Sequence, residues 1–76
     1  MPTIAQFGSV KIEMYPGDHL PPHFHLRGPN SKAMVGIDTL TVLRGRADRH
    51  DLADALVWAA ANRALLHSEW SRLNER

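Results

Sequence analysis

The chain contains no cysteine, which excludes disulfides, thiolate metal sites and sulfur redox chemistry and leaves imidazole, carboxylate or backbone oxygen to hold any metal. It also has no long hydrophobic run. No window approaches the roughly 20 apolar residues of a membrane span, and MPTIAQFGSV at the amino terminus has no basic region followed by an apolar stretch. A cytoplasmic protein without a membrane anchor is the expectation. Charge of one sign is scarce as well: nine Lys and Arg stand against eight Asp and Glu, a formal +1. Such a balance gives little long-range field to steer a polyanion, so nucleic-acid binding would have to come from local clusters. There is no repeat and no low-complexity tract.

What is present is the composition of a folded protein, with 43% hydrophobic residues and 22% charged ones among 76. The expectation is a single domain over residues 1–76 with a thin core, since a chain of this size buries only about 60% of the surface that its unfolded form exposes. Strands come first, over about residues 3–44. In Val10-Lys11-Ile12-Glu13-Met14-Tyr15 apolar and polar residues mostly alternate, as in a strand with one buried face. Pro16-Gly17-Asp18 supplies a turn, and Pro21-Pro22 holds the backbone extended into a second strand, about Pro22 to Arg27. Its alternation puts Phe24 and Leu26 on one face and His23, His25 and Arg27 on the other. After the turn Gly28-Pro29-Asn30-Ser31, residues 32–38 complete a hairpin; Thr41-Val42-Leu43 can add a short strand, and Gly45 punctuates the chain.

From Asp48 the period becomes helical. Asp48 is a candidate N-cap and Asp51 can reach back in the manner of a capping box. Leu52, Leu56, Ala59, Leu66, Trp70 and Leu73 mark an apolar stripe with Trp58 and Leu65 beside it. The expected fold is α+β: a three- or four-stranded antiparallel sheet covered on one face by a long C-terminal helix over about residues 48–73. Periodicity alone leaves open a break near Asn62.

Several segments together carry a resemblance: MPTI at residues 1–4, Phe7, Met14-Tyr15, Asp18-His19, Pro21-Pro22-His23-Phe24-His25, and the helix from Trp58 to Trp70 with Arg63 and Leu66. Along nearly its whole length the chain resembles the bacterial domain-of-unknown-function family 4160. It departs from the family at Leu26, Ala47-Asp48, Asn62 and Leu65, positions of packing and capping, and keeps the histidine motif. The resemblance implies a toxin-antitoxin-type component whose companion is a small protein of domain-of-unknown-function family 2442. It does not identify a reaction.

The chemistry concentrates in Asp18 to His25. His23 and His25 project from one strand face, and a turn through Leu20-Pro21-Pro22 can fold Asp18 or His19 toward them. Asp18, His19, His23 and His25 are thus candidate ligands for a divalent transition metal such as zinc, copper, nickel or iron. Without a metal, His23 and His25 can act as general base and acid, as RNA cleavage through its 2′-hydroxyl requires, with Arg27 on the phosphate. The plainer alternative is a solvated sheet face whose histidines bond to Glu13, Tyr15 or backbone; as functions, a non-catalytic module whose exposed sheet face binds a partner protein and a metal-binding domain without catalysis stand beside the toxin-antitoxin-type reading. Arg44, Arg46, Arg49 and His50 cluster at the expected helix start and are candidates for nucleic-acid contact. Gly17, His23, His25 and Gly36 approach the spacing of the first cupin metal motif, but that motif's glutamate is missing and the chain is too short for the barrel.

Overall fold

The structure, a computed structural model, describes residues 3–74. Met1 and Pro2 of the MPTI segment and the last two residues of the expected domain lie outside the described residues. The chain forms β1 (Thr3–Phe7), β2 (Val10–Glu13), β3 (His23–Gly28), β4 (Ser31–Gly36) and β5 (Val42–Arg46), then α1 (Arg49–Ala61) and α2 (Arg63–Leu73). Strands adjacent in sequence are neighbours in one antiparallel sheet, β1-β2-β3-β4-β5.

The α+β class is as expected, but the sheet has five strands rather than three or four. The first hairpin turns at Gly8 and Ser9, where Gly8 takes a left-handed backbone (φ 60°) at no steric cost. At the other edge Gly45 does not end the strand. It lies within β5 at φ 88°, where an added Cβ would come 2.2 Å from the Lys32 carbonyl oxygen. Only glycine passes there, and it carries Arg44 and Arg46 on the sheet rather than at the helix start.

Alternation decides the two faces. Ile12, Leu26 and Ala33 are consecutive cross-strand partners, Phe24 pairs with Val35, and all five are buried. Ala55, Ala59, Leu66 and Trp70 of the helices close over them, each large side chain contributing roughly 1.5–3 kcal/mol of burial.

Instead of one long helix there are two, parted at Asn62. Its side-chain amide donates to the Trp58 carbonyl at 2.9 Å and its backbone takes φ −124°, ψ 28°, a local bond that competes with helix continuation. Trp58 is half-buried, its ring edge-on to Phe7 with centroids 6.3 Å apart. Trp70 is buried, while Leu65 is 44% exposed. Asp48 caps α1 as expected, accepting from the His50 and Asp51 amides. Asp51 does not reach back directly. Ser31 stands between, accepting from the Asp48 amide at 2.9 Å and donating to Asp51 Oδ2 at 2.7 Å, which joins the helix start to the β3-β4 hairpin. Among the described residues no helix is long and apolar enough to cross a membrane.

Candidate metal centre

The segment between β2 and β3 sets this site. From Met14 the chain leaves the sheet, turns at Gly17 (φ 76°) and returns through Leu20, Pro21 and Pro22, with a cis Leu20-Pro21 peptide bond. The return brings Asp18 over the start of β3. Period 2 keeps His23 and His25 on the face opposite Phe24, and one carboxylate oxygen meets both rings: Asp18 Oδ2 is 3.2 Å from His23 Nε2 and 3.0 Å from His25 Nε2. These three ligand atoms all lie within 4.8 Å of one another.

The sheet face bearing the histidines is not open at this end. His23 has no exposed surface; Trp70 of α2 packs against it with ring centres 5.2 Å apart, and the returning segment closes the rest. His25 is half-buried, edge-on to His23 at 5.1 Å and to Tyr15 at 5.0 Å. Trp70 therefore belongs both to the core and to the wall of this site.

Hydrogen bonding orients the His23 ring. Its Nδ1 lies 2.8 Å from the Pro21 carbonyl oxygen, which can only accept, so Nδ1 carries the proton. In the neutral ring Nε2 then presents a lone pair, and it is buried with no hydrogen-bond partner among the described residues. A lone pair 3.2 Å from a carboxylate oxygen is a poor arrangement unless a cation lies between them. Metal-bound histidines characteristically donate their other N–H to a backbone carbonyl or carboxylate, as His23 does to Pro21. The spacing also fits: two ligands about 2.0–2.1 Å from a tetrahedral ion stand roughly 3.3 Å apart, close to both Asp18-imidazole distances. The chemistry of the set, two imidazoles and a carboxylate, suits zinc and its neighbours.

His19 stands outside this group. It is exposed, its ring centre 6.3 Å from that of His23. Arg27, two residues beyond His25 on the same face, is more than half exposed and approaches Glu13 Oε1 with its Nε at 3.8 Å. Glu13 is the direct cross-strand partner of His25 and accepts a 2.6 Å hydrogen bond from the Tyr15 hydroxyl. That bond holds the Tyr15 pKa above its usual value, because ionising the phenol would set two negative charges together. Arg49 is exposed on the first turn of α1, apart from Arg44 and Arg46 on β5. Lys11 and Lys32, which share the face with Arg27, escaped the sequence reading. Lys11 could have been found from the alternation of β2, but Lys32 acquires its meaning only from the register.

A family described as Domain of unknown function (DUF4160) matches residues 10–71. No curated protein and no solved structure matches the chain.

Proposed function

The chain belongs to the DUF4160 family, and on that footing we propose that it binds a divalent transition ion, zinc foremost, through Asp18 Oδ2, His23 Nε2 and His25 Nε2. The observation that carries this reading is the buried, unpartnered His23 Nε2, aimed at a carboxylate oxygen that a second imidazole also approaches. Three protein ligands leave a tetrahedral ion one position for water or substrate, the arrangement of a hydrolytic centre rather than of a closed structural one. The chain's own part would be to fix the His23 tautomer through Pro21, to shelter the site beneath Trp70 and to leave the half-buried His25 side accessible. Metal-free acid–base work by His23 and His25 is less well served, because His23 has no surface from which to exchange a proton with a substrate.

Zinc added to the purified protein should shift the imidazole NMR resonances of His23 and His25 at one equivalent and leave those of His50 and His67 in place. Equal, weak responses at all five histidines would sink the reading. The narrower expectation of a toxin-antitoxin-type component with a companion of domain-of-unknown-function family 2442 type draws on the family resemblance. It requires that expression of the chain alone slow bacterial growth and that His23→Ala relieve the effect.

A further inference from the structure

The strand register sets cations in a row. Lys11 pairs with Arg27, Arg27 with Lys32, and Lys32 with Arg46, so four directly opposed residues on β2, β3, β4 and β5 are all basic. Direct cross-strand partners share a face, and interstrand steps of about 4.8 Å make this a line roughly 14 Å long. The next row on that face holds Glu13, His25, Met34 and Arg44, again paired across the same strands. The strands thus bring five cations to the face and one carboxylate, Glu13, whose Oε1 is already taken by Tyr15 and lies 3.8 Å from Arg27. Lys11, Lys32, Arg44 and Arg46 are exposed and form no ion pair among the described residues.

Opposed like charges destabilise a sheet, and nothing in the packing requires them here. Apart from Glu13, and from Asp18, which sits against His23 and His25 at the covered end of this face, the described acidic residues lie elsewhere: Asp48, Asp51 and Asp54 at the start of α1, and Asp38 and Glu69 bound to His67 and Arg72. Charge is segregated in a molecule whose net charge is nearly zero. A shallow groove of about 270 Å³ lies among three of the five cations, Arg27, Lys32 and Arg44, with Met34 beside them, and its wall also includes His25. One side of the proposed ion site therefore opens onto the basic groove.

From this register we infer that the sheet face holds the phosphodiester backbone of a single-stranded nucleic acid and delivers it to the Asp18-His23-His25 cluster. A lone phosphate would engage two of the cations, whereas a chain of phosphates engages the row. Trp70 of α2 and the Asp18 segment cover only the His23 end of this face, and Lys11, Arg27, Lys32, Arg44 and Arg46 lie exposed on the strands, so a flexible single strand laid across the sheet is the form that fits. Delivery to an ion rests on the metal reading; binding of the strand does not.

The test is fluorescence anisotropy with labelled oligouridine RNA and oligothymidine DNA of about ten nucleotides, in the presence of a chelator so that the outcome is independent of any metal. With four phosphate contacts, the logarithm of the association constant should fall against that of salt with a slope of about −3. The double substitution Lys32→Ala with Arg46→Ala should weaken binding roughly tenfold at low salt and bring the slope to about −1.5. Arg49→Ala, off the face, should leave both unchanged. Binding of either oligonucleotide on these terms supports the inference, and the stronger of the two identifies the sugar. A slope near zero, an unchanged affinity in the folded double variant, or equal binding of a duplex or of polyglutamate would overturn it. Failure of zinc to bind would overturn only delivery to an ion.

Discussion

The face of the sheet beneath the helices carries Ile12, Phe24, Leu26, Ala33 and Val35, all buried, whereas the opposite face carries Lys11, Arg27, Lys32, Arg44 and Arg46, all exposed. Both sets come from one alternation along the same strands. The first set gives up water contact and is repaid in burial; the second opposes like charges and receives nothing from packing. Where a small domain keeps an arrangement that works against its own stability, binding is the physical reason to look for. The His23 end belongs to neither regime. It faces the charged side but is covered by Trp70 and the Asp18 segment, so a polar set is buried with one nitrogen unmatched.

The comparison breaks most visibly on the helix side. Phe24→Ala should cost about 3–5 kcal/mol, a large share of the stability of so small a domain, and abolish or sharply lower the cooperative thermal transition. Trp58→Ala, at a half-buried ring, should cost less, about 2 kcal/mol; an equal loss would mean that the edge of the core is as tightly packed as its centre.

That difference also shows how much was legible beforehand. Alternation around Phe24 and the periodicity through Leu66 and Trp70 were enough to place the core, the helical end and the face of each histidine. The first hairpin escaped because the half-buried edge strand Thr3–Phe7 has no clean alternation. β5 was cut short because glycine usually ends a strand, and only close approach to Lys32 explains Gly45. The candidate site was legible as residue types, Asp18, His23 and His25. The burial of His23 was not, because it depends on where a helix some 45 residues later sets down Trp70. The cation row was invisible for the same reason, since register is a property of pairs of strands.

A smaller effect is expected at the helix start, where the two faces are tied together. Ser31→Ala removes the hydroxyl between Asp48 and Asp51 and should lower stability by about 1–2 kcal/mol, measured by urea unfolding, since it leaves a part-buried amide and carboxylate without that partner.

On the charged face the sign reverses. Lys32→Thr relieves two cross-strand repulsions and should raise the thermal midpoint slightly, by a few tenths of a kcal/mol at low salt, while weakening oligonucleotide binding. A destabilised variant would show that Lys32 serves packing.

The smallest effect concerns Tyr15, the sole tyrosine. Its raised pKa makes the neutral phenol's contribution to stability fully present below the unfolded value near 10 and lost as pH rises through the higher folded value. Glu13→Gln should move the phenolate absorbance transition back toward the ordinary value. An unmoved transition would show that Glu13 is not the cause.

The central claim, that Asp18, His23 and His25 form an ion site, is tested most directly by calorimetric titration of the purified protein with zinc. The account predicts one ion per chain in the unaltered protein, loss of that binding in the Asp18→Ala, His25→Ala double variant, and unchanged binding when His50 and His67 are replaced together. A folded double variant that binds zinc as tightly as the unaltered chain would contradict it.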